Sequence, residues 1–224
     1  MARLPLLALA LACLSWPASA RACDTALLLA MDVSNSVDEA EYRLQVDGLA
    51  DALEDPVVIE AVLTGQVALA VLQWSDSSQQ RVTSDWRQPP DHAALSRLAA
   101  EIRATPRAFV MGGTAPAEAL SAALHLMERA PDCHRRVIDV SGDGTPNDGG
   151  DVGGPQRRAE AMGVTINGLA IESLGLAITG FYRSRVATRD GFVLTARGHR
   201  EYPEAIRMKL RRELVRVMGR ADPP

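Results

Sequence analysis

Beyond residue 20 the sequence lacks any apolar run long enough to cross a bilayer, which takes about 20 residues. It also lacks internal repeats, low-complexity tracts and linkers, so one domain is the simplest count for a chain of this length. Charge of one sign is missing too: 24 Lys and Arg stand against 28 Asp and Glu. That balance gives no reason to expect a nucleic-acid partner. No G-x-S-x-G elbow occurs, which removes the usual serine hydrolase signature. Four histidines, His92, His125, His134 and His199, stand in no recognisable catalytic context. No His or Cys pair has the spacing of a zinc site. The histidines therefore read as surface or satisfied structural residues.

What is present begins with an N-terminal leader. Arg3 supplies a positive start, Leu4 to Leu14 an apolar stretch, and Ala18-Ser19-Ala20 a small-x-small cleavage site. Residues 1–20 read as a signal peptide, which implies an exported, periplasmic or secreted protein with no membrane span after cleavage. Of the three cysteines, Cys13 leaves with the leader. Cys23 and Cys133 remain, and an even pair in an exported chain reads as a disulfide. Each precedes an apolar run, TALLLAM or RRVIDVS. If those runs are neighbouring parallel strands, their starts lie side by side. Two buried thiols are the alternative.

Strand and helix patterns then alternate. Strands are expected at 25–31, 67–74, 80–86, 136–141, 164–171 and 191–196, with 80–86 polar enough for an edge. Helices are expected at 37–53, from Asp55-Pro56 to Gly65, and at 91–103, 115–129, 155–162 and 203–218. Tyr42, Val46, Leu49 and Leu53 share one face of the first helix, and Ile206, Leu210, Leu214 and Val217 one face of the last. Alternation with continuous apolar strands specifies an α/β fold, a doubly wound, mostly parallel sheet with helices on both faces. The domain is expected over 21–218, followed by a loose tail at 219–224. In such sheets ligands sit beyond the carboxyl ends of the strands.

Three segments at that edge carry unusual chemistry: Asp32-Val33-Ser34-Asn35-Ser36, Gly112-Gly113-Thr114, and Ser141-Gly142-Asp143-Gly144-Thr145. Each has an ordinary reading. Ser36 with Glu39 forms a capping box, Thr114 caps the helix that follows, and Gly142-Asp143-Gly144 is a turn. Their coincidence on one rim favours a divalent cation site. Asp32, Ser34, Ser36, Thr114 and Asp143 offer two carboxylates and three hydroxyls. Such hard oxygens suit Mg²⁺, which takes six of them in an octahedron. Mn²⁺ and Ca²⁺ are alternatives. The serines and Thr114 would contact the ion, while the carboxylates orient them and hold coordinated waters.

These pieces resemble the metal-ion-dependent adhesion site of von Willebrand factor type A (vWA) domains. The D-x-S-x-S pattern is complete in D-V-S-N-S, and the threonine and the later aspartate follow in the same chain order. VSNSVDEAEYRLQ, VIDVSGDGTPNDGG and GVTINGLAI are similar to a bacterial exported subfamily of uncharacterised function. The resemblance implies a six-stranded sheet and metal-dependent binding of a protein partner that offers an Asp or Glu to the ion. It implies no catalysis. The chain departs from the pattern in the glycine and proline richness of residues 112–116.

Two other classes compete. Gly142-Asp143-Gly144 with Asn147-Asp148 resembles the last acidic motif of haloacid-dehalogenase-type phosphatases, with Asp32 as nucleophile. That family needs a second aspartate where Ser34 stands, and a lysine between the threonine and the last motif. The one lysine here is Lys209. Alternatively, a metal serves only the fold. Further expectations are a solvated basic face on the last helix (Arg207, Lys209, Arg211, Arg212, Arg216), a Trp74 that reads equally as a core-edge aromatic or as part of a partner surface, and partner contacts from Tyr182 or Arg183 in a loop at 172–189. Asp139 inside a strand needs a partner, with Arg135, Arg136 or a backbone cap as candidates.

Overall fold

The computed structural model describes residues 23–172 and 175–218. The leader at 1–20, the tail at 219–224 and the side chains of Arg216 and Val217 lie outside the described residues. Six strands form one sheet in the order β3-β2-β1-β4-β5-β6. They are β1 (Cys23–Asp32), β2 (Ala68–Trp74), β3 (Gln80–Arg87), β4 (Cys133–Gly142), β5 (Val164–Ile171) and β6 (Val193–Ala196). All neighbours pair in parallel except β2 and β3; the polar 80–87 segment is an edge strand as expected, and it runs antiparallel to β2.

β1 lies at the centre, and its sequence shows why. Leu27, Leu29 and Met31 enter the core on one face of the sheet, while Ala26, Leu28 and Ala30 enter the other. The period-two alternation of a strand thus feeds two apolar layers. The first layer is completed by α1 (Glu39–Leu53), α2 (Pro56–Thr64), α3 (His92–Ala104) and α7 (Tyr202–Met218). The second is completed by α4 (Pro116–Met127), α5 (Gly153–Ala161) and α6 (Ala177–Phe181).

Cys23 and Cys133 are direct register partners at the starts of β1 and β4 and form a disulfide. Asp55 caps α2 with Pro56 in its first turn, as the sequence indicates.

Several expectations need correction. The 172–189 segment is not a plain loop: α6 runs into a π-helical turn at Tyr182–Val186. Tyr182 is fully buried there, and Trp74 is fully buried at the end of β2. Neither is available to a partner. The capping box of α1 is made by Asp38 and Glu41, not Ser36 and Glu39. Ser36 turns its hydroxyl elsewhere, as described below.

The basic face of α7 holds for the exposed Arg211 and Arg212 and the half-buried Arg207 but not for Lys209, which is 0% exposed. Its Nζ lies 2.6 Å from Asp139 Oδ1 and 3.1 Å from Glu213 Oε1. Asn167 Nδ2 donates to the same Glu213 oxygen at 2.6 Å. The partner of Asp139 is therefore Lys209, reached across the helix layer, and not Arg135 or Arg136. A long aliphatic stem lets Lys209 lie in the apolar layer while its ammonium reaches the strand carboxylate. Two buried carboxyls thus face one ammonium. Burial pushes the Asp139 carboxyl up to about 7, with Lys209 opposing and Glu213 adding to the rise.

Three outcomes follow. The disulfide spans a sequence separation of 110 residues, so replacing both cysteines by alanine lowers stability by about 3–5 kcal/mol in a denaturant titration. Lys209→Met strands two carboxyls and costs about 3–5 kcal/mol, whereas Lys209→Met combined with Asp139→Leu costs less than the single change. Asp139 has a folded value above its ordinary 3.8. Its contribution is therefore fully present below about pH 4 and is lost as pH rises through about 7. In the presence of a chelator the melting temperature falls across that window, and it falls less in Asp139→Asn.

Candidate metal centre

β1 ends at Asp32 on the carboxyl edge of the sheet, where the chain leaves through Val33-Ser34-Asn35-Ser36. The departure is held from several sides. Val33 N donates to Trp74 O at 2.8 Å, and Asn35 N donates to Gly112 O at 3.1 Å. Arg107 donates through Nη2 to Val33 O at 3.0 Å and to Ser34 O at 2.7 Å. With its backbone fixed this way, the loop brings the hydroxyl of the buried Ser34 and that of the exposed Ser36 together.

All five sequence candidates meet there. Ser34 Oγ lies 3.1 Å from Ser36 Oγ. Thr114 Oγ1 donates to Ser34 Oγ at 3.3 Å, bridging 80 residues of sequence. Ser36 Oγ donates to Asp143 Oδ1 at 2.6 Å. Asp32 Oδ1 accepts from Ser34 N at 2.7 Å, which orients the serine from behind. Thr114 does not cap α4, whose N-cap is Ala115 with no side-chain hydrogen bond. Its backbone N instead donates to Asn147 Oδ1 at 2.7 Å, and its hydroxyl is left for the cluster.

Among the described residues no Lys or Arg side chain bonds the carboxylates of the cluster. Asp32 is wholly buried, and its Oδ2 has no hydrogen-bond partner. Burial raises the Asp32 carboxyl to about 7; hydrogen bonds from Ser34 oppose the rise and Asp143 adds to it. The Tyr182 hydroxyl, also buried and without a partner, is pushed well above its ordinary value, by burial first and then by Asp32 and Asp143. A Cβ on Gly142 would lie 2.5 Å from that hydroxyl and 2.8 Å from Asp32 Oδ2. Only glycine fits between them.

The same steric logic explains the glycine-rich departure before Thr114. A Cβ on Gly112 would lie 2.4 Å from Ser75 Oγ, and one on Gly113 would lie 2.8 Å from Asn147 Oδ1. The backbone there is squeezed between the β2–β3 turn and the loop after β4, so the glycines bring Thr114 close and do not weaken its assignment.

Three contributors escape sequence reasoning. Arg107 clamps the serine loop from the α3–α4 connection, where no pattern marks it. Asn147 fixes the Thr114 backbone; its place in the same glycine-rich loop as Asp143 was the available signal. His199, read as an ordinary structural residue, is buried beside the cluster. Its Nε2 lies 3.9 Å from Asp143 Oδ2, and its Nδ1 lies 3.1 Å from Glu41 Oε1. Fifty-six residues of sequence hide that neighbourhood.

The donor set fits a hard divalent ion. Adjacent ligand oxygens of an octahedron with Mg–O bonds of 2.0–2.1 Å stand about 2.9 Å apart. The hydroxyl separations of 3.1 and 3.3 Å are close to that edge. The orphaned Asp32 oxygen is the kind of buried acceptor that coordinated water or positive charge would satisfy. Among the described residues no three His, Cys, Asp or Glu side chains are grouped to hold a metal. Any site here would therefore depend on its hydroxyls.

No curated protein matches the chain. Solved structures do. Proximal thread matrix protein 1 from the mussel byssus superposes with a TM-score of 0.66 at 15% identity, covering 84% of this chain and 47% of that one. A second structure of that protein, with a zinc-occupied MIDAS motif, gives 0.64 at 16%, covering 85% and 48%. The vWF domain of the type V pili tip protein Mfa5 from Porphyromonas gingivalis gives 0.61 at 13%, covering 92% of this chain and 99% of that one. The chain thus spans about half the length of the mussel protein it matches. At these identities the likeness establishes the fold, that of vWA domains. The family model described as protein of unknown function (DUF1194) matches residues 22–218, and the chain belongs to that family.

Proposed function

We propose that this protein is an exported binding domain that uses a divalent cation to capture a carboxylate of a partner protein, and that it is not an enzyme. The observation that carries the reading is the convergence of three hydroxyls and two carboxylates on one point of the sheet edge. Ser34, Ser36 and Thr114 would hold the ion, most simply Mg²⁺. Asp32 accepts from the Ser34 backbone N and Asp143 from the Ser36 hydroxyl, and the two carboxylates would align the serines. When bound, the ion supplies a positive charge with an open position for a carboxylate, because its protein ligands are neutral. Arg107 holds the Val33 and Ser34 carbonyls, which fixes the backbone that carries the hydroxyls.

The neighbours support the reading by analogy. One is a structure with a zinc-occupied MIDAS motif and another is a pilus tip domain. The Cys23–Cys133 disulfide supports export, since such bonds persist in oxidising compartments. The phosphatase alternative finds little to use. Ser34 Oγ sits where that chemistry needs a carboxylate, and the one lysine is locked with Asp139 and Glu213.

Titration calorimetry of chelator-stripped protein with Mg²⁺ and Mn²⁺ checks the proposal. Saturable one-site binding is expected, weakened by at least about tenfold in Ser34→Ala and in Thr114→Ala. The wild-type chain shows no metal-dependent turnover of a generic aryl phosphate. Turnover abolished by Asp32→Asn would favour the enzyme instead.

A further inference from the structure

The connection between α3 and α4 is pinned along its length. Arg107 is bonded to the Val33 and Ser34 carbonyls. Ala108 N donates to Gln73 Oε1 at 2.7 Å. Phe109 packs against the core, with Arg81 5.3 Å from its ring centre. Gly112 O accepts from Asn35 N at 3.1 Å. Between these anchors, Val110 and Met111 are 69% and 70% exposed.

Single exposed apolar side chains need no explanation. These two are placed too consistently for that. They are the most exposed large hydrophobics among the described residues. The next, Leu176 at 64%, follows β5 on the same edge of the sheet. The less exposed ones, such as Val57 and Met208, lie on the outer helices. The rim that carries the hydroxyl cluster is therefore also the rim that carries the exposed apolar surface.

We propose that Val110 and Met111 are the apolar half of a docking surface whose polar half is the Ser34–Ser36–Thr114 cluster. The occupant is a partner-protein segment in which an acidic side chain is flanked by bulky aliphatic residues. This rests on the metal-dependent reading above. Two residues separate Met111 from Thr114, so the two lie at most about 10 Å apart along extended chain. One short segment thus reaches both halves. A cavity of about 360 Å³ opens beside Val110, walled in part by Tyr42, Ala104 and Pro106. Arg43 on the cavity wall is paired with Asp47 at 2.5 Å, whereas Arg107 there is bonded to the Val33 and Ser34 carbonyls and, among the described residues, to no carboxylate. The charge of Arg107 beside the serine loop suits an acidic segment over a basic one. Met111, flexible and polarisable, adapts to aliphatic side chains of differing shape.

The test uses the full chain and two short synthetic peptides, read by fluorescence anisotropy in Mg²⁺. One peptide carries an aspartate between leucines, the other the same aspartate between serines. The leucine peptide binds about tenfold more tightly to the wild type. Val110→Ser combined with Met111→Ser abolishes that preference while Mg²⁺ binding by calorimetry is unchanged. Equal binding of the two peptides, or a preference that survives the double change, overturns the docking surface and leaves the metal site standing. Binding of neither peptide by a chain that binds Mg²⁺ also overturns it. A wild-type chain that binds no Mg²⁺ removes the metal reading beneath it.

Discussion

Asp32 carries a carboxyl group out of water at the end of the central strand, and only one of its oxygens has a hydrogen-bond partner. A buried carboxylate left like this is costly, and natural proteins keep such a group where something compensates for it. Around it the fold places further oxygen: two serine hydroxyls, a threonine hydroxyl and a second carboxylate, while the nearby Arg107 guanidinium is taken up by the Val33 and Ser34 carbonyls. Electronegative atoms drawn together without a cation repel one another or share protons, and here Ser36 and Asp143 do the latter at 2.6 Å. The divalent ion proposed above would resolve the whole arrangement at once. The parallel sheet, the pinned serine loop and the glycines before Thr114 can all be understood as means of holding oxygens in that otherwise unfavourable proximity.

The opposite end of the strand pair has its own constraint. Cys23 and Cys133 tie the starts of β1 and β4, and β4 ends in the loop that carries Asp143. Between them on β4 lies Asp139, held by Lys209 of α7. The strand that brings the distant carboxylate to the cluster is thus fastened covalently at its base and by a buried ion pair at its middle. Pairs of this kind add little net stability compared with an apolar replacement. Their effect is positional, because a buried ammonium admits few places for the helix that carries it.

Much of this was legible in the sequence. Continuous apolar strands alternating with amphipathic helices specify the sheet and its order of layers. D-V-S-N-S and the aspartate after β4 mark the carboxyl edge. What escaped depends on contacts between residues far apart in the chain. Lys209 has the spacing of a solvated helix face, and only the position of Asp139 beneath α7 draws it inward. His199 and Arg107 meet the cluster through tertiary packing that no local pattern announces. Ser36 has a capping-box partner in Glu39 by spacing, yet its hydroxyl is taken by Asp143, and Asp38 with Glu41 caps the helix instead. The tertiary bond to a carboxylate prevails over the local one.

The central claim is that these oxygens surround a cation. The most direct measurement is an anomalous difference map from crystals of the protein grown with Mn²⁺. The account predicts one strong peak within bonding distance of the Ser34, Ser36 and Thr114 hydroxyls, with the Ser36–Asp143 contact rearranged around it. No peak there, in a structure where the Ser36 hydroxyl still bonds Asp143 as before, would contradict it.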